Sequence, residues 1–412
     1  MKLFSPLELP NGTVIPNRIA KAAMEENMAD DAHAPSDALI RLYQTWSEGE
    51  AGLLITGNVM VDGRAMTGPG GVVLESDLNL ARFKAWAAAA SSNGAQVWMQ
   101  INHPGRQMPA GLGQETVAPS PIALDLGSQS KRFPMPREMT DDDITEVARR
   151  FVATALLAER AGFHGVEIHA AHGYLLSQFL SPLTNQRKDR WGGSLANRAR
   201  LLTEVVRNIS AAVAPKFVVS VKLNSADFQR GGFSLADAQA VIEMLGRLGV
   251  DLVELSGGSY EAPAMMGSTR DERTLAREVY FLEFARDIAK VAQMPLMVTG
   301  GIRRKEIAEQ VVESGVAMTG IATALAIEPN LPRNWRLGRP DAPQLKAVAW
   351  KNKQLASAAH MASVRYQMTR LSRQKPSAPN ISPTWALVVA EVGAKCRTKR
   401  YRRWMARRSA TS

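Results

Sequence analysis

Eight short apolar segments alternate with amphipathic stretches along the chain, and this alternation is what most constrains the fold. Strands separated by helices of this length are typical of βαβ units with parallel strands. Eight such units are the number that closes a (β/α)8 barrel, so we predict an α/β protein built on a TIM barrel. The predicted strands are residues 19–24, 52–58, 96–102, 165–171, 217–224, 252–258, 295–301 and 316–322, and the predicted helices are residues 36–48, 77–92, 140–161, 194–213, 234–248, 278–292 and 303–314.

Local signals agree with this division of the chain. Thr140 precedes three aspartates, and Ser234 stands three residues before an aspartate in a capping-box pattern, so both are predicted helix N-caps. Residues 7–16, with Asn11-Gly12 at the centre, predict an N-terminal β-hairpin with a primed turn. We expect this hairpin to close the bottom of the barrel.

The positive charge of the chain is concentrated at its C-terminal end. The formal net charge is +11, yet residues 341–412 carry 15 Lys and Arg against two acids, which leaves residues 1–340 nearly neutral. This contrast predicts a boundary near residue 340. It separates a barrel domain, residues 1–340, from a basic and mostly helical extension, residues 341–412.

The extension ends in a strongly basic segment. Residues 395–408 contain eight Lys and Arg interleaved with Tyr401 and Trp404. Contact with nucleic acid or with an anionic membrane is one interpretation of such a segment. A helix packed on the barrel or on a partner subunit is the favoured one, and assembly into a homo-oligomer stays open.

The cysteine content and the apolar segments indicate a cytoplasmic protein. The single cysteine, Cys396, excludes an internal disulfide and an all-cysteine iron–sulfur cluster. Residues 1–10 lack the apolar core of a secretory leader, so we expect none. No stretch approaches the roughly 18 apolar residues that a membrane span requires.

The richest segment for chemistry is GVEIHAAHGY, residues 165–174, a buried strand that ends by presenting His169, His172 and Tyr174. Two imidazoles are able to hold a carbonyl or nitro oxygen, and a phenol is able to supply a proton. The alternative is a pair of histidines satisfied by neighbours in a loop before a helix. A metal site is less favoured because no further Cys, His or carboxylate stands nearby at zinc-ligand spacing.

Active sites of TIM barrels lie at the carboxyl ends of the strands. These ends are polar, rich in glycine and basic here, which suits a planar heterocycle with a phosphate tail. Lys222 is costly inside an apolar strand unless it has a partner, either a bound anion or ring edge or a salt bridge across the barrel mouth. Gly300-Gly301 predicts a phosphate site or a turn that sterically requires glycine. The long loops 103–139 and 172–193 are expected to build the site.

These residues resemble the old yellow enzyme family of FMN-dependent ene-reductases, also described as NADH:flavin oxidoreductases. The resemblance spans about residues 1–337, and its matching segments are residues 16–24, 100–106, 118–121, 136–140, 161–185 and 187–198. It implies FMN as cofactor and NADH or NADPH as reductant. The implied reaction reduces the C=C bond of an alkene conjugated to a carbonyl or nitro group.

The resemblance also implies roles for individual residues. His169 and His172 bind the substrate's oxygen, and Tyr174 donates the proton. The implied flavin contacts are Ala22, Ala23, Met24, Glu25 and Asn58 beside the ring, Gln100 at its pyrimidine edge, Lys222 near N1 and O2, and Gly300, Gly301, Ala322 and Thr323 by the phosphate.

Three positions depart from the family pattern. Ala23 stands where many relatives have proline, and Glu25 stands where they have Thr, Ser or Cys beside flavin O4. Ala322-Thr323 replaces a Gly-Arg pair at the phosphate, for which the Thr323 hydroxyl, backbone amides or Arg303 would compensate.

Two rival functions remain open. One is a flavin-binding scaffold without turnover, its site altered at the departing positions. The other is a related FMN barrel reductase that acts on a different substrate, such as a dienoyl thioester. The dienoyl-CoA reductase branch adds a cysteine cluster and further nucleotide domains, which one cysteine and 412 residues disfavour.

Overall fold

The computed structural model describes residues 2–262 and 282–410, and its centre is a closed parallel barrel. The barrel strands, β1 to β8, are Ile19–Lys21, Leu53–Ile55, Gln96–Asn102, Gly165–Ala170, Val218–Asn224, Leu252–Ser256, Leu296–Thr299 and Met318–Ile321. β8 pairs with β1 in parallel, Thr319 opposite Ile19, and this pairing closes the barrel. The predicted TIM barrel is confirmed. Several strands end earlier than predicted, where the chain leaves the ladder.

Helices connect the barrel strands and continue beyond them. In the described residues, helices α1 to α13 are Asp37–Ser47, Leu80–Ser91, Asp141–Arg160, Leu175–Leu180, Leu195–Arg198, Arg200–Ala212, Leu235–Arg247, Leu282–Ala289, Lys305–Glu313, Thr323–Ile327, Leu331–Arg336, Lys353–Leu371 and Pro383–Ser409. The predicted helix 194–213 is divided into α5 and α6, and the start of the predicted helix 278–292 lies outside the described residues. None of the described helices is long and apolar enough to cross a membrane.

Short elements complete the secondary structure. Outside the barrel, short strands are Leu7–Glu8, Val14–Ile15, Val59–Met60, Val72–Val73, Val117–Ala118 and Arg137–Glu138, and 3-10 helices are Lys2–Phe4, Gly105–Gln107, Ala110–Leu112 and Gly127–Arg132. Both predicted N-caps are confirmed as capping boxes, Thr140 with Asp143 at α3 and Ser234 with Asp237 at α7.

The N-terminal hairpin is confirmed, but its predicted primed turn is wrong. Leu7 pairs with Ile15, and the N–H of Gly12 donates to the carbonyl of Leu9. Only Gly12 in this turn has positive φ, 75°, whereas a primed type I turn also requires it at Asn11. Pro10 fixes φ near −65°, which favours an ordinary type I turn followed by a left-handed glycine.

The hairpin closes one end of the barrel with apolar side chains. Leu7, Leu9 and Ile15 are buried in one cluster with residues from inside the barrel. The barrel members of this cluster are Ala20, Leu53, Ile55, Trp98, Val218, Leu252, Met297 and Met318. Because most of these residues lie at the starts or middles of their strands, the opposite, carboxyl end is left for a binding site.

The C-terminal extension packs directly on the barrel. α12 contacts α1, α10 and α13, and Val364, Met368 and Leu371 join the core that contains the barrel helices. Tyr401 and Met405 of α13 are buried in a cluster with Met60, Met66, Val73, Met108 and Leu112. The aromatic residues of the basic segment therefore serve in part to anchor α13.

The hairpin yields a stability prediction with a built-in control. Ile15 is fully buried, so Ile15→Ala is expected to lower the free energy of unfolding by about 2–5 kcal/mol. Val14, its neighbour, is 50% exposed, and Val14→Ala is expected to change stability by about 0.5 kcal/mol or less. Urea unfolding followed by circular dichroism measures both. Equal losses would contradict the sealing role of the hairpin.

Candidate active site

A cavity of about 510 Å³ opens at the carboxyl ends of the barrel strands. This volume lies in the usual range for sites that bind small organic molecules and cofactors. All fourteen residues predicted for the site line it: Ala22, Ala23, Met24, Glu25, Asn58, Gln100, His169, His172, Tyr174, Lys222, Gly300, Gly301, Ala322 and Thr323. The structure thus brings together residues that are spread over 300 positions of sequence.

The end of β4 places two imidazoles and a phenol against one another. The ring centre of His169 lies 5.0 Å from that of His172 and 4.9 Å from that of Tyr174, with the planes nearly perpendicular. His172 takes a left-handed φ of 61°, which turns the chain sharply after the strand. The turn is pinned because the His172 N–H donates to Asn224 Oδ1 and Gln107 Nε2 donates to the His172 carbonyl.

Burial determines the protonation of these three groups. It lowers the pKa of both histidines well below the ordinary value, and the positive charge of Lys222 acts in the same direction. Burial also raises the pKa of the Tyr174 phenol well above its ordinary value. At neutral pH the cavity therefore holds two neutral imidazoles and a protonated phenol.

The histidines differ in how far neighbours satisfy them. His169 Nδ1 accepts a hydrogen bond from the Ala171 N–H at 3.3 Å, so the proton of the neutral ring is placed on Nε2. His172 Nε2 lies 2.7 Å from the hydroxyl of Ser256. His172 thus fits in part the alternative in which neighbouring residues take up the hydrogen bonds of the histidines. His169 still has its Nε2–H as a donor for a ligand.

A second phenol in the cavity was not predicted from the sequence. The hydroxyl of Tyr260 lies 3.0 Å from that of Tyr174. Tyr260 follows the end of β6. The rule that active sites of TIM barrels lie at the carboxyl ends of the strands applies to this position too. The next residue, Glu261, forms an ion pair with buried Arg106, 2.5 Å between Nη2 and Oε2, which holds this loop in place.

Neighbouring strands carry a buried polar network beside the cavity. Gln100 Nε2 donates to Glu167 Oε2 at 2.5 Å, and Lys222 Nζ lies 2.6 Å from Glu254 Oε1. Lys222 therefore forms the salt bridge across the barrel mouth and lines the cavity as well. Burial, with the nearby Glu254, raises the pKa of Glu167 well above its ordinary value, which favours its protonated form.

The glycine turn after β7 forms the other end of the cavity. Gly300 and Gly301 have φ angles of 121° and 75°, which side chains rarely adopt, so glycine is required there for the turn itself. Arg303 also lines the cavity, together with Thr323 at the start of α10. A hydroxyl thus stands at the position where the family pattern has its arginine, and the Arg303 guanidinium lines the same cavity.

Glu25 is partnered from two directions. Thr67 Oγ1 donates to Glu25 Oε1 at 2.6 Å, and Arg365 Nη1 of α12 lies 4.0 Å from Glu25 Oε2. α12 also supplies cavity-lining residues that were not predicted from the sequence: His360, Met361, Val364 and Met368.

The two long loops that were expected to build the site differ in whether they line the cavity. The loop 172–193 supplies His172 and Tyr174, whereas no residue of 103–139 lines the described cavity. The latter loop acts one layer further out, where Gln107 and Arg106 hold the loops after β4 and β6.

The cavity has the donors and acceptors that FMN requires. Gln100 gives its amide N–H to Glu167, which leaves its carbonyl oxygen as an acceptor for a ring N–H. Asn58 Oδ1 is buried and, within the described part of the chain, has no hydrogen-bond partner. Such an atom is costly unless a ligand satisfies it. Lys222 supplies positive charge for the electron-rich edge, so the residues present fit the cofactor.

Known proteins resemble this chain along most of its length. The model of a family described as NADH:flavin oxidoreductase / NADH oxidase matches residues 2–342. An NADH-dependent flavin oxidoreductase of Neonectria sp. (strain DH2) is 38% identical over 353 residues, which are 80% of this chain and 46% of that relative. One of Hypocrea jecorina (strain QM6a) is 36% identical over 350 residues, which are 80% of this chain and 87% of the relative.

Solved structures agree with the sequence comparison. The old yellow enzyme homologue from Zymomonas mobilis superposes with a TM-score of 0.72 at 25% identity, over 84% of this chain and 95% of that one. This chain spans less than half of the Neonectria relative but nearly all of the Zymomonas homologue. The chain belongs to the NADH:flavin oxidoreductase / NADH oxidase family and is an FMN-dependent oxidoreductase of the old yellow enzyme type.

Proposed function

We propose that this protein takes hydride from NADH or NADPH and reduces the C=C bond of α,β-unsaturated carbonyl or nitro compounds. The observation that carries the proposal is the neutral pair His169 and His172 beside the protonated Tyr174, on the cavity that fits FMN. When bound, FMN supplies the hydride chemistry between the nicotinamide and the alkene.

The two histidines are proposed to hold and polarise the substrate's oxygen. The Nε2–H of His169 is a neutral donor in a buried site, where a hydrogen bond is stronger than in water. Electron density drawn toward that oxygen leaves the β-carbon of the conjugated alkene electrophilic. A carbonyl and a nitro group both present such an oxygen, which supports this substrate class.

Tyr174 is proposed to give its proton to the α-carbon of the alkene. Burial keeps the phenol protonated, and the Tyr260 hydroxyl at 3.0 Å fixes its orientation. Tyr260 also offers a hydrogen bond to the phenolate that remains after the transfer, which lowers the barrier to forming it.

The histidine pair is tested by replacing both residues. His169→Ala with His172→Ala is expected to retain the yellow flavin spectrum but to reduce enone turnover by about 10²-fold or more, because the oxygen loses its donors. Affinity for a phenolic ligand, measured by flavin absorbance titration, is expected to fall as well.

A control restores the donors without the imidazoles. His169→Asn with His172→Asn retains amide N–H groups at both positions and is expected to recover part of the lost affinity. Unchanged turnover in the double alanine variant would refute the proposed role of the pair.

Replacing the phenol separates the two half-reactions. Tyr174→Phe is expected to slow reoxidation of the flavin by an enone by about 10²- to 10⁴-fold, because the proton donor is lost. Reduction of the flavin by NADH is expected to change little, since no proton from Tyr174 is needed in it. Stopped-flow absorbance follows each half-reaction. An equal slowing of both would show that the substitution disturbs the cofactor site instead.

The protonation states predict a flat pH profile. The pKa values of His169 and His172 are lowered, so both imidazoles are neutral at pH 7 and above. The pKa of Tyr174 is raised, so the phenol stays protonated up to at least its ordinary pKa. None of the three groups therefore titrates between about pH 7 and 9. The rate of flavin reoxidation by an enone is expected to vary less than about twofold across this window. A tenfold change within it would contradict these protonation states.

A further inference from the structure

We propose that the C-terminal extension completes the active site, because Arg365 and Arg397 balance the charge of Glu25 while α12 forms an apolar wall of the cavity. Arg365 is thus a positioning residue that sets the electrostatic field at the flavin through Glu25. The proposal rests on the FMN site described above and does not depend on which alkene is reduced.

The extension lies outside the region that defines the family, yet it lines the cavity. The family model ends at residue 342. Cavity-lining residues continue beyond residue 341 as Ala342, Pro343, Gln344, Leu345, His360, Met361, Val364 and Met368. Three of these, His360, Val364 and Met368, are spaced at four-residue intervals, so they share one face of α12. The face is continuous with the cavity, and the part of α12 that forms it is made almost entirely of uncharged side chains.

Each helix of the extension carries an arginine whose positive charge acts on Glu25, and one of the two contacts it. Arg365 of α12 lies 4.0 Å from Glu25 Oε2. Arg397 of α13 is partly buried, and its pKa is lowered by burial and by Arg365, with Glu25 acting in the opposite direction. Within the described residues, the buried Nε atoms of Arg365 and Arg397 have no hydrogen-bond partner. The charges of Arg365 and Arg397 oppose each other, and the Glu25 carboxylate offsets this repulsion.

The rest of the extension holds these arginines in place. Tyr401, four residues after Arg397, is fully buried and donates its hydroxyl proton to the Gly63 carbonyl at 3.0 Å. Arg408 forms an ion pair with Glu75 further along the same helix. The Arg397 side chain is also held by close packing against Gly70, since a Cβ added at Gly70 would lie 2.7 Å from Arg397 Cδ. α13 is therefore fixed to the barrel at Arg397 and along the turns that follow it.

The charge balance has a consequence for the cofactor. A carboxylate beside the flavin disfavours gain of electrons by the ring, since the reduced ring carries more negative charge. Arg365 and Arg397 offset that effect. Removing Arg365 exposes the flavin to more of the Glu25 charge, so the reduced cofactor is expected to bind less tightly relative to the oxidised one.

The wall formed by α12 adds a restriction on substrates. Met361, Val364 and Met368 are apolar, and burial lowers the pKa of His360 so that its imidazole is neutral. This wall offers no charge to a substrate, which favours uncharged, apolar alkenes over those with a free carboxylate. The absence of charge refers to the α12 side chains that line the described cavity, which are His360, Met361, Val364 and Met368.

A double-mutant cycle tests the charge balance. The variants are Arg365→Met, Glu25→Gln and the two together, and the readouts are the oxidised FMN dissociation constant by fluorescence titration and the midpoint potential of bound FMN. Arg365→Met is expected to weaken binding of reduced FMN relative to oxidised FMN by roughly tenfold when Glu25 is present. In the Glu25→Gln background the same change is expected to have little effect, because the charge to be balanced is gone.

Two further variants separate charge from packing. Arg365→Lys keeps the positive charge and is expected to retain most of the wild-type potential. Arg370→Met is the matched control, because Arg370 lies on the same helix and donates to the Pro376 carbonyl instead. Equal shifts of the potential in the wild-type and Glu25→Gln backgrounds, or an equal shift with Arg370→Met, would overturn the proposal.

The cycle is independent of catalysis. All its measurements are made without an alkene, so an inactive protein that still shows the Glu25-dependent shift would refute the proposed reaction and support the charge balance. An active ene-reductase whose potential is indifferent to Arg365 would refute the charge balance alone. A protein that binds no FMN would overturn both.

Discussion

Closure of the barrel by the pairing of β8 with β1 is the constraint on which the site depends. Because parallel strands all point the same way, their carboxyl ends meet at one rim once the sheet is closed. Residues near positions 22, 100, 169, 222 and 300 thereby line one cavity. The hairpin fills the opposite end with Leu7, Leu9 and Ile15, so in the described residues that end is closed by apolar packing.

The buried charges at that rim determine which ligand it is able to hold. Lys222 and Glu254 form an ion pair inside the barrel, and burial, together with the Glu254 carboxylate, raises the pKa of Glu167. This arrangement is close to neutral before a ligand arrives. The ion pair holds Lys222 in position at the cavity, where the proposed function needs a positive charge for the reduced flavin.

The fold and most of the site follow from local sequence patterns. Each barrel strand is an apolar run bounded by turn residues, and the capping boxes at Thr140 and Ser234 depend only on residues three positions apart. The positions that line the cavity follow from the same pattern, because they stand directly after strands. Rules that act over a few residues thus carry nearly all of this prediction.

What could not be predicted depends on contacts distant in sequence or on competing local effects. The turn at Asn11-Gly12 has a primed-turn sequence, but the preceding Pro10 fixes the backbone in another turn. The sequence of α12 indicates a helix without indicating which surface it covers, so Val364 and Met368 were not assigned to the cavity. Ser256 and Tyr260 were not predicted for the site. Both nevertheless lie at or after the carboxyl end of β6, where site residues of a TIM barrel are expected.

The negative charge of Glu25 is offset by positive charges of the C-terminal extension. Glu25 places a negative charge at the wall of the cavity, and of the barrel cations that line it, Lys222 is engaged by Glu254 while Arg303 lies at the glycine turn after β7. The balancing charges therefore come from outside the barrel, and Arg365 and Arg397 supply them from two helices anchored by Val364, Met368 and Tyr401. The fold of the extension over the site brings Arg365 within 4.0 Å of a carboxylate that stands far from it in the sequence. The extension is for this reason part of the catalytic unit in physical terms, even though the family pattern ends before it.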